Sequence, residues 1–175
     1  MKKFIFPGGC AAVLLALALL LLSLPSPAER ALAELEQNCD VPFRLTTPEK
    51  ELPGLPDAVP VEGFGGYRLE NGDLSLALGG YPDVLDSPCL ISFTLLSPRY
   101  ALFGLQVGDA LDKAEKALTE HGYQPVREDI GTDWTRPLSY TKGPLTVALG
   151  LSEDLAHLSS LTVSVAVSNR ENVVF

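Results

Sequence analysis

Gly72-Asp-Leu-Ser-Leu-Ala-Leu-Gly79 returns 71 positions later as Gly143-Pro-Leu-Thr-Val-Ala-Leu-Gly150. The same ungapped shift sets Asp83 on Asp154, Leu90 on Leu161, Ser97 on Ser168 and Arg99 on Arg170. A repeat of this kind decides how the rest of a chain is read. Inside each octet the apolar residues alternate, Leu74, Leu76 and Leu78 in one and Leu145, Val147 and Leu149 in the other. Period-two alternation is the signature of an antiparallel strand with one buried face.

Working outward, residues 67–70 lead into Asn71-Gly72, a hairpin signal because tight primed turns need positive φ at both central positions. A loop over 79–88 then reaches a strand over 89–97. In the second copy, residues 139–141 turn at Lys142-Gly143 into the second octet. Leu161, Val163, Val165 and Val167 form the inward side of a last strand, with Thr162, Ser164 and Ala166 opposite. Each copy reads as a β-meander, the first within 61–99 and the second within 100–175.

Between the copies lies the best helix. Leu111, Ala114 and Leu118 fall on one face, Asp109 suits the N-cap with Asp112 in the first turn, and Gly122 suits the stop just past the end. An apolar helix stripe and apolar sheet faces must cover one another, which predicts an α+β fold of duplicated meanders with one main helix packed on the sheet. Upstream, residues 27–38 can form a helix, whereas 41–60 is too rich in Pro for one. Residues 29–60 therefore read as a linker containing a short helix.

The N-terminus has a different character. Lys2 and Lys3 precede an apolar run from Phe4 to Leu24, followed by Pro25, Ser26, Pro27 and Ala28. A basic start, an apolar stretch and small residues before a cut make a secretory signal, with cleavage expected after Ala28 or after Ala33. The same 21 residues are long enough for an uncleaved transmembrane helix with the bulk of the chain outside. Both versions of 1–28 export the remainder. Cys10 follows Pro7-Gly8-Gly9 and precedes most of the apolar run, so it is no lipidation cysteine.

The chain has 13 basic and 22 acidic residues, and setting Lys2 and Lys3 aside leaves 11 against 22. That balance excludes nucleic acid as a partner, since phosphate binding needs clustered Lys and Arg. Outside the cytoplasm Cys39 and Cys89 are expected to form a disulfide, worth about 4 kcal/mol by loop closure. No metal or cofactor is expected: two cysteines and two histidines at 39, 89, 121 and 157 lack ligand spacing, and Gly63-Phe-Gly-Gly66 lacks the helix and Lys of a phosphate loop. Glu128, Asp129 and Asp133 lack the spacing of a calcium loop.

His121, in the last turn of the main helix, suits the helix dipole. Asp154, His157 and the nearby serines contain the residue types of a hydrolytic triad, but such a triad is recognised in space and not by adjacency. Tyr67, Tyr81, Tyr100, Tyr123, Trp134 and Tyr140 fall near loops and strand ends, as a binding surface would have them; core packing accounts for the same residues.

The stretch Phe103-Gly-Leu-Gln-Val-Gly-Asp109, the helix ending Leu118-Thr-Glu-His-Gly-Tyr123, and Tyr140-Thr-Lys-Gly143 opening a hairpin together resemble the helix-and-strand modules of small outer-membrane-assembly lipoproteins and of secreted β-lactamase-inhibitor proteins. The resemblance covers residues 101–168 and implies a non-enzymatic binding role. The expectation is an extracytoplasmic module that binds a protein of the cell envelope, with a small envelope hydrolase using Asp154 and His157, or a structural stalk, as the alternatives.

Overall fold

The alternating octets become two inner strands of one antiparallel sheet. The computed structural model describes residues 25–52, 54–55, 57, 59–63, 66–79, 88–126 and 136–166. In chain order the elements are α1 (Pro27–Gln37), a 3-10 turn (Glu49–Glu51), β1 (Val59–Gly63), β2 (Gly66–Glu70), β3 (Leu74–Gly79), β4 (Cys89–Leu95), α2 (Leu111–Glu120), β5 (Gln124–Val126), β6 (Ser139–Lys142), β7 (Leu145–Leu151) and β8 (Leu158–Val165). The eight strands lie in the order β1-β2-β3-β4-β8-β7-β6-β5. Two four-strand meanders, each preceded by a helix, thus join side by side through β4 and β8, and the fold is α+β.

Register explains why the sheet has one dry face. Pro60, Leu69, Leu76, Phe93, Val163, Val147, Tyr140 and Pro125 are successive cross-strand partners from one edge to the other. Direct partners share a face, so this row and its neighbour Leu74–Leu95–Leu161–Leu149 build a continuous apolar floor. Ala31 and Leu35 of α1 and Leu111, Ala114 and Leu118 of α2 join the same buried cluster as that floor. On the opposite face the rows are Ser75–Thr94–Thr162–Ala148 and Ala77–Ser92–Ser164–Thr146. These side chains are part-exposed apart from the buried Ser75, and Thr94 Oγ1 meets Thr162 Oγ1 at 3.0 Å.

Several local expectations change. Val41, Phe43 and Leu45 are buried in the core cluster with Ala31 and Leu35, so the stretch expected as a linker forms part of the core. It crosses the floor and binds the start of β4, with Thr46 N donating to Leu90 O at 2.7 Å and Leu90 N to Thr47 O at 2.9 Å. The hairpin at Asn71 forms by another chemistry. Asn71 Oδ1 accepts from the amides of Asp73 and Leu74 at 2.9 and 2.8 Å, and Gly72 is not among the positive-φ glycines. A side-chain-closed turn replaces the primed one. The second hairpin does use a positive φ, +58° at Gly143, with Lys142 paired to Leu145 across a Gly143-Pro144 turn.

Ala110, not Asp109, is the N-cap of α2. The Asp109 carboxylate instead accepts from Gln106 N at 2.8 Å and Lys113 Nζ at 2.7 Å, closing the loop before the helix. Gly122, at φ +76° just past the C-cap His121, ends the helix as expected. The apolar run 4–24, the 167–175 tail and the acidic residues Glu128, Asp129 and Asp133 lie outside the described residues; among those described, no helix is long and apolar enough to cross a membrane.

The two faces carry different energetic weight. Leu161→Ala should cost about 3 kcal/mol of unfolding free energy in urea titration, whereas Thr162→Ala, one residue along on the open face, should cost about 1 kcal/mol. Equal losses would contradict the assigned faces.

Candidate functional site

Three arrangements bring chemistry-bearing side chains together. The first is a polar clamp at the C-terminal end of α1. Glu34 Oε1 meets His121 Nδ1 at 3.0 Å and its other oxygen accepts from Lys142 Nζ, while Lys142 Nζ also donates to His121 O at 2.7 Å. An ionised carboxylate only accepts, so Nδ1 carries the imidazole proton. Hydrogen bonds from Lys142 and then His121 hold the Glu34 carboxyl below its ordinary range against part-burial. The Phe103 ring lies 4.3 Å from that of His121 and 5.5 Å from that of Tyr123. Phe103 sits at φ +53°, a conformation costly outside glycine. The clamp therefore ties α1 to the end of α2 and to the β6–β7 turn, where a Cβ on Gly143 would touch Ala28 and Ala31.

The second is a cavity of about 250 Å³ between α1, the crossing segment 39–45 and β4. Leu32, Leu35, Val41, Phe43, Leu45 and Phe93 line it with Cys39 and Pro42, and Glu36 and Arg44 add polar surface. At its mouth Arg44 Nε approaches Glu36 Oε2 at 3.5 Å.

The third is the β7–β8 turn. Asp154 Oδ2 meets His157 Nδ1 at 2.6 Å, and Oδ1 accepts from Ser152 Oγ at 2.6 Å and from the amides of Ala156 and His157 at 2.9 and 3.2 Å. These contacts, led by Ser152 and Ala156, depress the Asp154 carboxyl strongly. The aspartate and histidine thus meet as a triad would require, but Ser152 bonds to the aspartate. In a triad the serine meets the other imidazole nitrogen. The carboxylate's work is to close the turn, which packs on α2 through Leu111 N to Ala156 O and Leu158 N to Asp109 O, both 2.8 Å. At its tip Leu155 is 52% exposed with φ +56°.

The expected aromatic surface does not assemble. Tyr123 and Tyr140 are 1% and 2% exposed core residues; burial raises both phenols, Tyr140 to about 12. Tyr123 Oη is buried without a hydrogen-bond partner among the described residues. Tyr100 is part-buried against the core with the Arg99 guanidinium 5.5 Å from its ring centre. Tyr67 lies on β2 opposite Leu78, and Tyr81 and Trp134 fall outside the described residues. Tyrosine's apolar body and polar tip made either fate readable; burial of the ring prevailed at 123 and 140.

Nor is the expected disulfide present, for Cys39 and Cys89 are both free thiols. Cys39 bridges Leu102 while Cys89 lies opposite Gly79 and Pro48, so the crossing segment holds them at its two ends. Burial raises both thiols, which keeps them protonated. Among the described residues no cluster of His, Cys, Asp and Glu could hold a metal.

Glu34, Lys142, Arg44 and the cavity escaped the sequence reading because their partners lie far apart in the chain. One readable signal was the Ser26-Pro-Ala-Glu29 capping box, which marks α1 as a well-founded helix; Ser26 N and Oγ exchange bonds with Glu29 at 2.5 and 3.1 Å. Comparisons with protein families, with curated proteins and with solved structures find no match to this chain.

The clamp gives stability a defined acid limit. With the Glu34 pKa lowered in the folded state, its contribution is present above the unfolded value near 4.5 and lost as pH falls through the folded one. Urea titrations from neutral to acidic pH should show wild type losing stability below about pH 4.5. Glu34→Gln should start lower at neutral pH and fall less steeply; parallel curves would remove the carboxylate from the clamp.

Proposed function

We propose that this chain is a non-enzymatic docking module, held on the outer side of a membrane by residues 4–24, which binds an envelope protein through the open face of its sheet. The composition of that face carries the reading. Its eight central positions, Ser75, Ala77, Ser92, Thr94, Thr146, Ala148, Thr162 and Ser164, carry no charge and no large side chain. Solvated surfaces ordinarily carry about 25–35% charged residues, and absence of charge is one of the features of an interface centre. A patch of small, uncharged side chains across four strands suits close approach of another protein surface.

Repetition supports the same reading. At the 71-residue shift, Leu78 paired with Leu90 corresponds to Leu149 paired with Leu161. The correspondence extends to Gly79 with Cys89 against Gly150 with Ser160, and slips by one residue on the other side, where Ile91 bulges out of the β3–β4 register. Two helix-plus-meander copies joined edge to edge double the width of face that one could offer. The resemblance to modules of envelope-assembly and inhibitor proteins points to binding in the same way.

The tethered form is favoured by α1. The capping box from Ser26 to Glu29 spans Ala28, so a cut there would remove the cap. A cut after Ala33 would also remove the buried Ala31 and leave a fragment too short to hold as a helix.

Photo-crosslinking side chains placed at Thr94 or Thr162 in the exported protein should give one discrete adduct, lost on adding Ser92→Arg, and none from the exposed Glu120. Adducts that form equally from Glu120, or none from the face, would sink the docking reading. N-terminal sequencing should find the uncut chain in membranes; a chain beginning at Glu29 or Glu34 in the medium would end the tethered version alone.

A further inference from the structure

We propose that the cavity beneath α1 binds a medium-chain carboxylate, its acyl chain in the cavity and its head on Arg44, at a site separate from the docking face. Close-packed interiors retain few voids larger than a water molecule. An open pocket of about 250 Å³ walled in part by Leu32, Leu35, Val41, Phe43, Leu45 and Phe93 is therefore a feature to be explained. An enclosed apolar cavity of about 150 Å³ already admits benzene, and this larger pocket, open to solvent, combines those apolar side chains with the polar Glu36 and Arg44. This space accommodates something longer than a ring.

The head group follows from the mouth. Arg44 is 73% exposed and touches Glu36 only through Nε, so both terminal nitrogens are without a partner among the described residues. A guanidinium fork with two free donors matches a carboxylate in a bidentate bond. Glu36 beside it sets a limit in the other direction, since a dianionic phosphate would meet like charge there while a single carboxylate need only share the guanidinium. An uncharged head would leave the fork unused. Acyl chain below, carboxylate above and a short span between them describe a fatty acid of modest length.

The test uses the full chain, isotope-labelled at its Leu and Val methyls and kept soluble in an amphipathic polymer, titrated with octanoate, octanol and a lysophosphatidylcholine. Octanoate should give saturable shifts at Leu32, Leu35, Val41 and Leu45 and leave Leu74 and Leu149 unmoved. Octanol should bind at least ~tenfold more weakly, as loss of a charge-assisted hydrogen bond implies. Arg44→Gln should erase that preference without closing the cavity. Two filling variants, Leu45→Phe and Cys39→Leu, each checked by circular dichroism for an intact fold, should abolish the shifts. The proposal is overturned if octanoate leaves the cavity methyls unmoved, if octanol binds as tightly, or if a folded filled variant responds like wild type. It is also overturned if lysophosphatidylcholine binds more tightly than octanoate, which would make the ligand a membrane lipid.

Discussion

Four antiparallel pairs along β4 and β8, from Ser92 with Ser164 to Leu95 with Leu161, turn two four-strand meanders into a single sheet. A lone meander with one helix has too small an apolar face to exclude water well. Joined, the two present a floor wide enough for both helices and for the crossing segment. The apolar row through Phe93 and Val163 then runs unbroken over the seam, so the seam is as dry as either half. What covers the floor and what stays open on the other side are both consequences of that junction.

Cover for the floor is shared between the halves. α1 precedes the first meander, yet its Glu34 is held by His121 and Lys142 of the second, and its N-terminal turn lies against Gly143. The clamp therefore ties the first helix to the far half of the sheet. That crossing leaves the cavity beneath it, because α1 and segment 39–45 arch over Phe93 without filling the space between. Clamp and cavity are two results of one packing choice.

Much of this was legible in the sequence, and the exceptions share a cause. Strict alternation in Leu74–Leu78 and Leu145–Leu149 marked the inner strands, and the spacing of Leu111, Ala114 and Leu118 with Gly122 marked α2. The outer strands β1 and β5 carry no such pattern; they are strands because a neighbour offers hydrogen bonds, which no local window records. Residues 41–60 read as a linker because they are rich in Pro and Leu, yet Val41, Phe43 and Leu45 turn inward once a floor exists to receive them. An even number of cysteines carries no distance, so Cys39 and Cys89, expected to pair, stay free thiols. At the site, Arg44 and Phe93 become neighbours only through the fold, so no motif announces them.

Pro60 and Pro125 close the long cross-strand row at its two ends. An open antiparallel sheet offers unpaired amides along both margins, and each margin can recruit a strand from another copy. Proline has no amide hydrogen to give, so it is tolerated at a sheet's edge and blocks further pairing there. One on each outermost strand means that neither margin is a clean template for the next molecule. The sheet can thus keep an open face with eight uncharged central positions on show while its rims resist growth into a fibre.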